Sequence, residues 1–265
     1  MFNLYLADIY KMRKSITMKV LFVIAIICAV AVAVMAYLIS NGNIDKNLSG
    51  INFLLSDVSM VNILGAVIAG VFVCGDFDNR SIHEAIANGN SRGAIIISKA
   101  ASFSTALLVI ILPYAIVAGI AIGTGSKFSM DTPSMGFLYL LTTEAGKAFS
   151  ASETGKLVVA ILTLSIVYIG QLSVCLFFAM VIKKPVVVVA LNYALGILSG
   201  QLQTIKGSSK VFDRIFACTP FGGNYGFANL SSSSDDIFKA ITVSVIFTIV
   251  ILSITYVIFR RSEIK

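Results

Sequence analysis

Four stretches of this chain, 20–39, 100–122, 157–182 and 240–259, each run for at least twenty residues without one Asp, Glu, Lys or Arg. A helix needs about 20 predominantly apolar residues to cross the hydrocarbon core of a bilayer, and only a structure that satisfies its own backbone hydrogen bonds can do so. The four runs are therefore expected to be transmembrane helices. A shorter run, 58–74, lies between Asp57 and Asp76 and is rich in Val, Ile, Ala and Gly, with Gly65 and Gly70 suited to close helix contact. It is read as a further span. The run 186–199 is interrupted by Gly200, Gln201 and Gln203 before a second apolar patch at 211–217, and Pro220, Gly222 and Gly223 follow. This pattern predicts a broken fifth span whose external part dips into the membrane and returns, an arrangement allowed only where protein or a cavity covers the irregular backbone.

Charge placement gives the orientation. With alternate connections assigned to opposite sides, one side collects twelve basic residues against five acids, a net of +7, while the other balances eight against eight. Lys and Arg gather in cytoplasmic loops, so both termini are expected in the cytoplasm. Phe2, Tyr5, Leu6, Ile9 and Met12 recur at helical spacing while Asn3, Asp8, Lys11 and Lys14 take the other face. That describes a helix over 2–14 lying at the membrane surface. The apolar run after it exceeds the roughly 7–15 residues of a signal-peptide core, so it is read as a retained helix. The fold class is thus an all-α polytopic membrane protein, one transmembrane domain over 1–265, with six spans and an N-terminal interfacial helix.

Several chemistries find no support in the residues. Only 12% of residues are charged and no basic cluster interleaves with aromatics, so no nucleic-acid partner is expected. A phosphate-binding P-loop needs G-x-x-x-x-G-K-[ST], and Gly123-Thr124-Gly125-Ser126-Lys127-Phe128 departs from it in spacing and at Phe128. His83-Glu84 begins like a zinc-protease motif, but Ala87 stands where the second histidine belongs and the chain has one His. The four cysteines form no CxxC pair and read as small apolar fillers. Asn62, Gln171 and Asn192 are the most polar side chains at depth, and each is expected to bond a neighbouring helix. No catalytic, cofactor-binding or metal-binding residue is assigned.

The most informative connection is 75–93. Ile82, Ala85 and Ile86 share one face of a short helix flanked by charge, and Asn88-Gly89-Asn90 stops it. A short amphipathic helix on the cytoplasmic side suits docking into a partner's groove. Asp76, Arg80-Ser81-Ile82, Glu84-Ala85-Ile86, Ser91-Arg92 and then Lys99 follow the order in which ABC-2 type exporter permeases leave their second span, form a short helix and enter the third. The chain resembles that family, with Ala87-Asn88-Gly89-Asn90 where the family commonly has Leu-x-x-Pro. The resemblance implies a plasma-membrane permease subunit of an ATP-driven exporter that works with a second permease copy or paralogue. Separate cytoplasmic ABC ATPase subunits would hold the ATP and Mg. It makes 75–93 a coupling loop, with Asp76, Arg80, Ile82, Glu84, Ile86, Ser91 and Arg92 as the ATPase-coupling residues. An apolar or amphipathic cargo, such as a peptide, antibiotic or lipid, fits spans with few polar groups. An ion-coupled secondary carrier is the alternative, favoured by the broken fifth segment and by Pro113 and Gly119, but it calls for a matching broken helix in the other half. A membrane enzyme lacks a catalytic constellation.

Overall fold

The computed structural model describes residues 2–45, 49–130, 135–146, 151–205, 207–222 and 224–261. Among these every regular element is helical. Six helices are long and apolar enough to cross a membrane: Ile16–Ser40, Asp57–Asp78, Arg92–Gly123, Glu153–Ile182, Pro185–Thr204 and Ser234–Arg261.

In chain order, α1 is Phe2–Lys14 and α2 is Ile16–Ser40, parted at Ser15 by extended backbone. After α3, Ser49–Leu55, the second long helix is composite: α4 is Asp57–Ile68, a π-helical turn occupies Ala69–Cys74, and α5 is Gly75–Asp78. Then come α6, Ser81–Ala87, and α7, Arg92–Gly123, which continues through Pro113. At the opposite end α8, Gly136–Glu144, precedes α9, Ala151–Ile182. The remaining helices are α10, Pro185–Thr204, α11, Lys210–Ala217, and α12, Ser234–Arg261.

Two expectations change. First, the fifth long helix does not break at Gly200, Gln201 and Gln203; α10 runs through all three to Thr204. Glutamine is a fair helix former, and Gln203 Nε2 finds an acceptor in the Phe221 carbonyl at 3.0 Å, so polarity alone did not end the helix. The chain leaves helical geometry further on, where Gly207 adopts φ +96°. Gly223, expected in the closing turn, lies outside the described residues. Second, α1 is held to the bundle through both of its faces. Phe2 and Leu6 are exposed, but Met12 is buried in the core and the Tyr5 hydroxyl meets Thr105 of α7. From the polar face Asp8 and Lys11 pair with opposite charges on α7 and α5.

The core is made where small residues let helices approach. A Cβ on Gly65 would stand 2.9 Å from Leu172, and one on Gly70 would stand 3.2 Å from the Pro185 backbone. Gly170 of α9 meets α12 at Ser244, with Cβ positions 3.0 Å apart if a methyl were added. Without a hydrophobic drive between helices in lipid, such close backbone approach is a main source of association. Cys28, Cys74 and Cys175 are buried within this packing.

Replacing Gly170 by Ile should force α12 away from α9, at a cost of about 1–3 kcal/mol for overpacking. The expected readout is a lower melting temperature in detergent, followed by a thiol-reactive dye at the three buried cysteines. Gly155→Ala, with open space around its Cβ position, should melt like the parent.

Candidate functional site

The basic end of the bundle is organised around α5. Asp76, 3% exposed, accepts from both Lys11 of α1 and Lys99 of α7. Lys99 also reaches Asp8 of α1 at 2.5 Å, and Ser98 and Ser102 hydroxyls lie 3.4 and 3.5 Å from the same Asp8 carboxylate. Two acids and two lysines thus form a charge-balanced chain in which each carboxylate is hydrogen-bonded. Balance matters, because a buried carboxylate with no counter-charge costs several kcal/mol. The next residue, Phe77, faces the other way. Its ring meets Phe259 of α12 edge-on at 6.2 Å, and Lys183 of the α9–α10 turn lies 4.8 Å from its centroid. Two consecutive residues of α5 therefore bind α1, α7, α12 and the α9–α10 turn together.

The expected coupling residues divide by this geometry. Asp76 is inside the ion-pair chain rather than at the surface. Ile82 is buried and Ile86 is packed against the core, so the apolar face of α6 is already covered by this chain. Ser91 caps α7, its hydroxyl accepting from the Ala94 N–H at 3.2 Å. Arg92 donates to the carbonyls of Phe259 and Arg260, both at 2.7 Å, and lies over the Phe259 ring. It thereby donates to two carbonyls in the last turn of α12, where the helix dipole also favours a cation. Arg80, Glu84 and Ser91 of the seven are exposed, and of these Ser91 is occupied in capping α7. Arg80 holds a left-handed backbone, φ 57°, at the corner where α5 turns into α6. A helix face that is apolar in sequence marks burial equally well against one's own bundle and against a partner, and the sequence carried no signal to separate the two.

At the opposite end a second carboxylate is buried. Asp57 begins α4, is 1% exposed, and accepts from the N–H groups of Phe137 at 2.8 Å and Leu138 at 3.2 Å, and from the Tyr168 hydroxyl. It thereby satisfies the free amides at the start of α8. Gly136, at φ +65°, permits this approach, since a Cβ there would collide with the Asp57 carboxylate and the Tyr168 hydroxyl. The other end of α8 is tied by Glu144, which accepts from the Leu230 N–H at 3.2 Å. Asp57 had been read only as the boundary of a span; the signal available was its position one residue before the apolar run 58–74.

Beside this anchor lies a cavity of about 580 Å³ between α4, α9, α10 and the residues Pro220, Phe221, Gly222 and Gly226. Asn192 donates to Asn62 Oδ1 at 2.8 Å and to its carbonyl at 3.1 Å, joining α10 to α4 as expected of these residues. Gln171 donates to the Pro220 carbonyl at 2.9 Å. Tyr225 donates to the Ala217 carbonyl at 2.6 Å, and burial pushes its phenol above the ordinary value, so it remains a donor throughout the neutral range.

Fold and geometry define the class as an all-helical protein with six helices able to cross a membrane. No known family model matches the chain, and no curated protein matches it in sequence.

Lys99→Met should leave Asp8 and Asp76 short of counter-charge, and breaking such a buried network costs about 3–5 kcal/mol. The expected result is a lower melting temperature together with faster tryptic cleavage at Arg13 and Lys14 as α1 detaches. A double Asp76→Asn, Lys99→Met variant should be milder than the single one, because one acid and one base leave together.

Proposed function

We propose that this chain is the membrane-spanning subunit of an ABC-2 type exporter, driven by a separate ATPase that docks on the α5–α6 corner at its cytoplasmic face. The observation that carries the reading is the root of that corner. Asp76 and Phe77 connect it to α1, α7, α12 and the α9–α10 turn, so a displacement applied to α6 reaches most of the bundle. A solvated connecting loop has no need of such attachment. Coupling requires it, since energy entering from outside the chain must pass through a contiguous packed path. The positive-inside bias supports the same sidedness. In this reading Arg80 and Glu84 face the ATPase, while Ile82, Ile86, Ser91 and Arg92 hold the corner to the bundle. The ATP and Mg belong to the partner, and a second permease subunit completes the pathway.

A second reading, an ion-coupled carrier, gains from Asp57, because an ionisable residue inside a span is by default a functional group. Its three hydrogen bonds to the start of α8 and to Tyr168 equally describe a structural cap.

Co-expression with ABC ATPases from the source genome, followed by purification in mild detergent, separates the readings. Co-elution of an ATPase, lost in Arg80→Glu and Glu84→Arg variants that melt normally, is the result expected for an exporter. Proteoliposomes of the chain alone that move solute down a proton gradient, with the flux lost in Asp57→Asn, would establish the carrier instead.

A further inference from the structure

The contacts of α1 fix how deep each part of it lies. Lys11 pairs with Asp76, which also meets Lys99; Asp8 lies against Lys99, Ser98 and Ser102; and the Tyr5 hydroxyl stands 3.1 Å from the Thr105 hydroxyl. Successive turns of α1, read backwards from Lys11, thus advance along α7. From Lys99 to Thr105 the helix rises about 9 Å. With α7 crossing the membrane from its Arg92 end, the Phe2 end of α1 is the deepest part and the Lys14 end is nearest the water. At Ser15 the chain bends into α2 and enters the membrane again.

The side of α1 turned away from the bundle changes character over that depth. Phe2, Leu6 and Tyr10, one turn apart from each other, are exposed, and Ile16 and Val20 continue the exposed apolar surface into α2. Asn3 is a polar exception at the deep end. At the bend stand Arg13, Lys14 and Lys19, all three exposed. None of them is ion-paired among the described residues, and the one acid of α1, Asp8, is turned to Lys99. The Lys14 ammonium lies 5.9 Å from the centroid of the Tyr10 ring, so cation and aromatic meet where the apolar stripe ends.

Three uncompensated cations at the water end of an apolar stripe call for anions at that level and hydrocarbon beneath them. A soluble anion would answer the cations and leave Phe2 and Leu6 bare. A zwitterionic lipid would cover the stripe, but its own ammonium offsets its phosphate. A second copy meeting this face about a two-fold axis would set cations on cations.

We infer that the α1–α2 bend is a binding site for anionic phospholipid, with Arg13, Lys14 and Lys19 on the headgroup and Phe2, Leu6 and Tyr10 against the acyl chains. The inference goes beyond the export reading and does not rest on it, since it needs only that the long helices cross a membrane.

The chain contains no tryptophan, so Tyr10→Trp places a single one at the site, where an indole keeps the ring contact with Lys14. The full chain of this variant is placed in phosphatidylcholine nanodiscs that carry a small fraction of acyl-brominated lipid, either phosphatidylglycerol or phosphatidylcholine. Both should quench the emission, and the relative association of the anionic lipid should be about tenfold the higher. Replacing Arg13, Lys14 and Lys19 together by Gln should bring the ratio near one with the melting temperature unchanged. Each replacement alone should lower it about two- to threefold, which keeps the test should the triple variant fail to fold. Arg260→Gln with Arg261→Gln, at the same face but on α12, should leave it as it was.

Equal quenching by the two lipids in normally melting protein would overturn the inference. So would a preference that survives the Gln replacements, or one lost equally in the α12 variant, because it would then belong to the basic face at large. Absence of quenching by either lipid would give this face to a protein neighbour. Loss of the preference in millimolar inorganic phosphate, but not in chloride of equal ionic strength, would make the bend a soluble-anion site.

Discussion

Asp76 accepting from two lysines on two different helices is the interaction on which the basic end of this molecule depends. A lone carboxylate at the end of an apolar helix would favour the water outside the bundle. Here Lys11 and Lys99 meet it, Asp8 meets Lys99 in turn, and the four charges cancel. Cancellation permits burial, and burial fixes α1 against α7, with Met12 also buried and Phe2 and Leu6 left exposed. Once α1 and α7 are set, Phe77 is held where Phe259 and Lys183 can close on it. Arg92 then ties the start of α7 to α12 by donating to the carbonyls of Phe259 and Arg260.

The same economy governs the opposite end, where polar side chains serve irregular backbone. Asp57 takes the open amides of α8, Glu144 takes that of Leu230, and Gln171 and Gln203 take the carbonyls of Pro220 and Phe221. Each of these backbone groups lies outside regular helix or at its start, so it has no intrahelical partner. In a medium poor in water an unmet group costs more than the side chain that meets it. The most polar residues of the apolar runs are therefore located by the gaps in backbone pairing, and the cavity is left between those fastenings.

This explains what was legible in the sequence. Uninterrupted apolar runs determine helices almost alone, because length and lack of charge are local properties; hence the six long helices stand close to the expected runs. The end of α10 was misread for the opposite reason. Gly200 and Gln203 look like a break when read locally, yet Gln203 is satisfied by Phe221, eighteen residues away. The ion pairs of α1 were missed in the same way, since spacing gives two faces but not that Asp8 meets Lys99. Only tertiary contacts could distinguish Arg80 and Glu84, which are exposed, from Arg92, which is occupied with α12.

One composite helix carries both anchors. Asp57 stands at its first residue, Asp76 near its last, and the π-helical turn Ala69–Cys74 lies between them. A π turn accommodates an extra residue and loosens the regular ladder, so the helix is less stiff there than on either side. Yet Gly70, inside that turn, is closely packed on Pro185, and Cys74 lies 3.6 Å from the Ala179 carbonyl. A displacement entering at Asp76 would therefore meet its softest point where the helix touches the α9–α10 turn, and would be passed sideways to α10 before reaching Asp57. Asn192 and Asn62 join α10 to α4 beyond that point, at the wall of the cavity. A displacement carried by α10 would therefore reach α4 again through these two asparagines, at the wall that also carries Gln203.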